Sequence, residues 1–239
     1  MSTQSLGEQT VDLLARLVRL GCVNDLTADS GGEERAADLL EEFFAGLPVS
    51  IERVTPHPGR TTLVVTVEGS APHGDGTPLT LVGHTDVVPV DEAKWTRAPF
   101  GAQIEDGVMW GRGTVDMLHL TAAMAVVTRQ VARRAQKGEP PARSLVFVAA
   151  ADEEARGGLG VPWIGENRPD AFPWDAALSE MGGAHRGRLL RVRGSGGVCA
   201  RHLPRDCCPD GRPLGRAHQR HALPRDPRAG HSHAARRRR

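Results

Sequence analysis

The run from Ser144 to Ala151, SLVFVAAA, constrains the fold more than any other stretch of the chain. It is continuously apolar, the mark of a strand covered on both faces, and such a strand needs helices packed above and below its sheet. The neighbouring segments supply them. From Thr10 to Leu20, Val11, Leu14, Leu17 and Val18 fall at helical spacing and Gly21 ends the run. After Gly31 and Gly32 a second helix is expected, with Ala36, Leu39, Leu40, Phe43 and Phe44 as its buried stripe and Glu33, Glu34, Glu41 and Glu42 facing water. Strands are expected at Val49 to Val54 and Thr61 to Glu68, joined by a turn at Pro56 to Gly59. A polar loop from Gly69 to Pro78 leads into a further strand-forming run, Leu79 to Val82, stopped by Gly83. Met117 to Ala135 has few breakers and reads as a long helix with Leu120, Met124 and Val127 on its apolar face. The alternation of helix and strand predicts an α/β fold with a largely parallel sheet flanked by helices.

Composition matters chiefly because it changes along the chain. The 239 residues carry a formal net charge of +1. Up to Ala184 there are 15 Lys and Arg against 26 Asp and Glu, while beyond it there are 15 against 3. From His185 onward the chain has no Ile, Phe, Trp or Met, and Arg, Pro, Gly and His crowd together without apolar periodicity. Such a segment cannot bury enough surface to offset its ordering entropy. The expected organisation is therefore a globular part, 1–184, and a disordered tail, 185–239, as a loss of coding frame between about Ala184 and Arg191 would produce. The polar N-terminus and the lack of a long apolar run predict a cytoplasmic protein without a membrane partner. Cys22 stands apart from Cys199, Cys207 and Cys208, and no disulfide framework is implied.

In sheets of this class, ligands bind beyond the carboxyl ends of the strands, and polar residues collect there. His84 and Asp86 leave the strand that begins at Leu79, and side chains two apart in an extended segment point the same way. His84 can offer one ring nitrogen to a metal while Asp86 accepts a hydrogen bond from the other, which fixes the tautomer. Gly111 to Asp116, GRGTVD, lacks the Lys-Ser/Thr of a phosphate loop and the third glycine of a dinucleotide fingerprint. Asp152, Glu153 and Glu154 follow the buried strand directly, and adjacent carboxylates repel one another unless cations or protons intervene. Glu180 follows the short apolar run Ala176 to Leu178. His119, one turn past Asp116, reads as an ordinary helix residue.

Taken in order, GHTDVVP, WTRAPFGAQIEDGVMWGRGTVDM, LVFVAAADEEARGGLG and ALSEMGG resemble the zinc metallopeptidase family that contains aminoacylase, acetylornithine deacetylase, succinyl-diaminopimelate desuccinylase and carboxypeptidase G. The resemblance covers most of residues 1 to 184. It implies two zinc ions: His84 on one, oriented by Asp86, with Asp116 bridging, Glu154 on the second and Glu180 on the first. A carboxylate can span two ions about 3.5 Å apart, which a histidine cannot. Glu153 would be the general base, and the peptide bond from Asp116 to Met117 would be cis. The implied reaction is hydrolysis of the amide bond of a small peptide or N-acyl amino acid.

Family members are considerably longer, and nothing after Ala184 resembles their lid domain or returning strands. A histidine that completes the second zinc site there has no counterpart in the order of motifs here. The alternative expectation is thus a non-catalytic remnant with an incomplete metal site. Specific nucleic-acid binding is not expected, since no aromatic is interleaved with the terminal arginines. The substrate and the oligomeric state are not legible in the sequence.

Overall fold

The computed structural model describes residues 4–71, 76–155 and 158–180, and the backbone alone of 182–185. The expected tail, 185–239, lies outside the described residues apart from the backbone of His185. The first helix, α1 (Leu6–Leu20), starts earlier than its apolar spacing indicates because Ser5 and Glu8 cap it reciprocally. Ser5 Oγ accepts from the Glu8 amide at 3.2 Å, and the Glu8 carboxylate accepts from the Ser5 amide at 2.7 Å. Its end is as expected: Gly21 takes the left-handed conformation, with φ 58°. The helix is rotated slightly from the expected face, so that Leu13 is buried and Val11 is exposed.

Helix α2 (Glu34–Phe44) buries Ala36, Ala37, Leu40, Phe43 and Phe44. Glu33, expected in water, is instead fully buried. It precedes Ala37, Leu40 and Phe44 at helical spacing, so it lies on the inward stripe. Helix α3 (Leu118–Gln136) buries Leu118, Met124 and Ala125, while Val127, expected on the apolar face, is exposed.

The strands are β1 (Ser50–His57), β2 (Arg60–Val67), β3 (Leu79–His84), β4 (Gln103–Glu105), β5 (Val108–Trp110), β6 (Leu145–Ala150), β7 (Ala176–Ser179) and β8 (Gly182–His185). Six of them form one sheet in the order β1-β2-β6-β3-β7-β8, and β4 and β5 pair as a separate ribbon. At the sheet's centre β6, β3 and β7 run parallel, whereas β1, β2 and β8 join antiparallel. The α/β class stands, and the parallel part is its middle. The edges differ because β1–β2 and β7–β8 are linked by short turns, which can only return a strand antiparallel.

All six residues of β6 are buried, and alternate ones serve opposite faces. Leu145, Phe147 and Ala149 join the core beneath α1, α2 and α3, while Val146, Val148 and Ala150 join Ile164 of helix α4 (Val161–Asn167) and Phe172. This is the two-faced burial that its sequence predicts. None of the helices among the described residues is long and apolar enough to cross a membrane.

Candidate metal centre

The parallel centre of the sheet delivers the site. β3, β6 and β7 end side by side, and at or just past their ends stand His84 to Asp86, Asp152 to Glu154, and Glu180. Gly83 lets β3 lie close against α3: a Cβ there would stand 2.5 Å from Thr121 Oγ1, which instead donates to the His84 carbonyl at 2.7 Å. The loop before α3 folds back through Gly113, at φ 85°, where a Cβ would press within 2.6 Å of Val87. That turn leads into Asp116, whose peptide bond to Met117 is cis, as the resemblance implies.

His84 is buried and turns Nε2 toward the carboxylates. Asp116 Oδ1 lies 3.3 Å from it and Glu153 Oε2 lies 3.8 Å from it. Two groups can be drawn whose ligand atoms lie within 4.8 Å of one another, His84 with Asp116 and Glu154, and His84 with Glu153 and Glu180. All five residues expected around the metal therefore converge. Their grouping differs from the expected one in that Glu153 stands among the potential ligands. His119 belongs to neither group.

Asp86 does more than the expected job. His84 Nδ1 lies 2.9 Å from the backbone carbonyl of Asp86 and 3.4 Å from its carboxylate, so the carbonyl is the nearer acceptor. The carboxylate also reaches the neighbouring turn. Its Oδ1 accepts from the Glu153 amide at 3.2 Å, and its Oδ2 accepts from the Glu154 amide at 3.0 Å. Asp152 makes this turn with a left-handed φ of 56°, a conformation that Asp tolerates better than most residues. One carboxylate thus holds both the histidine and the two glutamates.

Beneath this lies a network that the sequence did not reveal. Asn24 Nδ2 donates to Asp86 Oδ2 at 2.8 Å and to Asp152 Oδ1 at 2.9 Å. Asn24 Oδ1 accepts from Arg60 Nη2 at 3.2 Å. Arg60 Nη1 donates to Glu33 Oε1 at 2.6 Å, and that same oxygen accepts from the Asp152 amide at 3.0 Å. Asn24 is brought there because the segment around Val23 bridges Val87 in parallel. The signal available for Glu33 was its helical spacing from Leu40; for Asn24 no sequence signal exists.

The electrostatics set Asp86 apart from the glutamates around it. Burial alone would lower the His84 pKa, but Asp86, Glu153 and Glu154 outweigh it and raise it to about 9. Burial also pushes Glu154 up to about 7, with Asp116, Asp86 and Glu153 adding to the rise against His84. Glu153 and Glu180 rise in the same direction, first from burial and then from neighbouring carboxylates. Asp86 moves the other way: burial works to raise it, and His84, Asn24 and the Glu154 amide hold it below its ordinary value. Glutamates crowded this closely, with only an imidazole to balance them among the described residues, are what a divalent cation would relieve. Imidazole with several carboxylates also suits zinc and its neighbours in the first transition row. The residues present fit a metal.

Residues 80–190 match the model of the peptidase family M20/M25/M40. The fold is similar to that of an M20 family metallo-carboxypeptidase from Sulfolobus solfataricus, with TM-score 0.55 and 22% identity over 72% of this chain and 37% of that one. It is also similar to human carnosine dipeptidase 1, with TM-score 0.50 and 17% identity over 72% of this chain and 38% of that one. The chain thus spans little more than a third of the length of these structures. The family resemblance of the motifs and the fold agree: the matched segment is M20-like.

Proposed function

We propose, with the M20 relationship of residues 80–190 as premise, that the chain carries the hydrolytic metal centre of an enzyme acting on amide bonds of small peptides or N-acyl amino acids. The observation that supports this most directly is the convergence of His84, Asp116, Glu153, Glu154 and Glu180, drawn from four separate segments, at the carboxyl ends of adjacent parallel strands. In this reading His84, Asp116, Glu154 and Glu180 would be the ligands that hold two zinc ions, with Asp116 common to both sets. When bound, the ions supply Lewis-acid polarisation of the scissile carbonyl and acidify a water.

The rest of the chemistry falls to the side chains. Glu153 accepts the proton of the attacking water and returns it to the leaving nitrogen, the usual division of labour for a positioned carboxylate. Asp86 keeps the turn that carries Glu153 and Glu154 facing His84, through the two amide hydrogen bonds described above.

Elemental analysis of the dialysed chain, beside Glu154→Ala and Glu180→Ala, tests the reading. Two zinc ions per chain, one lost in each variant, with release of amino acid from dipeptides or N-acyl amino acids, is the expected result. Absence of stoichiometric metal would overturn it. A single ion lost only with Glu180→Ala, and no turnover, would leave the chain a half-site.

A further inference from the structure

We propose that Asn24 is the positioning residue of the metal centre: its side-chain amide clamps Asp86 and Asp152 together and so sets the aim of the Glu153–Glu154 turn before any metal arrives. The proposal rests on the metal reading above and assigns a role to a residue that touches no metal in it.

Asn24 is 1% exposed, and both hydrogens of its Nδ2 are taken by carboxylates, Asp86 at 2.8 Å and Asp152 at 2.9 Å. Its Oδ1 accepts from Arg60 Nη2 at 3.2 Å and from the Leu26 amide at 3.1 Å. The amide cannot be turned over, because that would set its oxygen against two carboxylates and its nitrogen against a guanidinium. Arg60 is fixed in turn, since its other nitrogens donate to Ala28 O at 3.2 Å and to Glu33 at 2.6 Å. No other side chain of this size offers two donors on one side and an acceptor on the other. Aspartate would add a third carboxylate against Asp86 and Asp152, and alanine would take one donor from each and leave Asp152 Oδ1 without its side-chain hydrogen bond in a buried site.

The consequence runs outward through Asp86. Its Oδ2 is shared between Asn24 and the Glu154 amide, and its Oδ1 faces the Glu153 amide and His84 Nδ1. Loss of the Asn24 donor frees that carboxylate to rotate, and its rotation shifts both glutamates and the imidazole at once. Outer partners of this kind are worth about 10- to 100-fold in metal affinity.

The test compares Asn24→Ala with Ile164→Ala, a core truncation on the opposite face of the sheet, in the full chain. Zinc affinity by calorimetry and the visible spectrum of the Co2+ form are read for each. The expected result is affinity about 10- to 100-fold weaker and an altered Co2+ spectrum for Asn24→Ala, with Ile164→Ala losing stability alone. Wild-type affinity and spectrum in a folded Asn24→Ala would overturn the proposal. Should Asn24→Ala fail to fold, the Asn24 side-chain amide of the metal-free wild type decides by NMR. Slow exchange of both hydrogens supports the clamp, and rapid exchange overturns it. Failure of the wild type to bind zinc at all, with the amide still protected, would overturn the metal reading and with it the metal role of the clamp.

Discussion

The carboxylates of this site fall into two layers that differ in how their charge is balanced. Those of the floor, Glu33, Asp86 and Asp152, are buried, and each accepts hydrogen bonds from Arg60, Asn24 or backbone amides. Those of the rim, Asp116, Glu153, Glu154 and Glu180, are at least partly exposed and crowd toward one imidazole. The chain itself supplies donors to each floor carboxylate, and of their oxygens Glu33 Oε2 alone has no partner among the described residues. Among the described residues the rim faces only His84 as a neutralising partner, and burial first, then repulsion between carboxylates, raises the pKa values of its glutamates. The contrast teaches that the protein builds a support from its own donors and sets a cluster without them on top of it, the arrangement expected where an ion completes the set.

The largest effect should come from removing the rim's proton acceptor. Glu153→Gln is expected to cut amide hydrolysis about 100- to 10,000-fold while zinc content stays the same. Because it removes one of several mutually repelling carboxylates, the metal-free variant should unfold at the same temperature as the wild type or higher. Initial rates on dipeptides and thermal unfolding of the dialysed protein check this together. A clear loss of stability would erase the distinction between the layers.

The floor should respond in the opposite way. Arg60 and Glu33 are almost wholly buried and their contact is 2.6 Å, so Arg60→Met leaves a buried carboxylate without its cation. A cost of about 3–5 kcal/mol in urea unfolding is expected, without metal present. A change below about 1 kcal/mol, the scale of an exposed pair, would mean that the floor does not hold the site together.

This difference also marks what the sequence could and could not show. The rim was legible, because Glu153, Glu154 and Glu180 closely follow apolar strands, and Asp116 falls in a motif whose order with the others carries the resemblance. The buried strand β6 and the Gly21 helix end were legible for the same local reasons. The floor was not, since Asn24 meets Asp152 across 128 positions and no local pattern encodes that contact. Glu33 was misplaced because a run of charged residues at a helix start reads as a wet face, although its spacing from Ala37 and Leu40 put it on the inward stripe. The antiparallel edges of the sheet were missed because apolar runs report burial and not direction.

Proton uptake offers a subtler way to sharpen the comparison. The rim binds protons more tightly in the folded chain than in the unfolded one: Glu154 rises from 4.5 to about 7, and His84 from 6.5 to about 9. Both shifts have the same sign. The folded state holds more protons between pH 4.5 and about pH 9, so stability contributed by these groups is lost as pH rises through that window. Asp86, shifted downward, acts only below its ordinary value of 3.8 and does not oppose the trend. The metal-free protein should therefore melt at progressively lower temperature from pH 5 to pH 9, about these two transitions. Saturating zinc should flatten the profile, because the ion replaces the protons. A profile of equal slope with and without zinc would separate the titrating groups from the metal site.

The smallest effect concerns access to the floor. Cys22 is buried at its edge, with Sγ 3.5 Å from the Gly32 carbonyl. Burial pushes its thiol up to about 12, Arg35 pulls it down, and Glu33 and Asp86 push it up further. At pH 8 only about one molecule in ten thousand would carry the thiolate that reacts with alkylating agents. Iodoacetamide followed by peptide mass mapping should leave Cys22 unmodified in the folded protein and label it fully in urea. The same mapping on Asn24→Ala tells whether the floor opens when its clamp is removed. Labelling of Cys22 in that variant, at a rate unchanged in Ile164→Ala, would place the closure of the floor in the Asn24 network and not in the stability of the sheet as a whole.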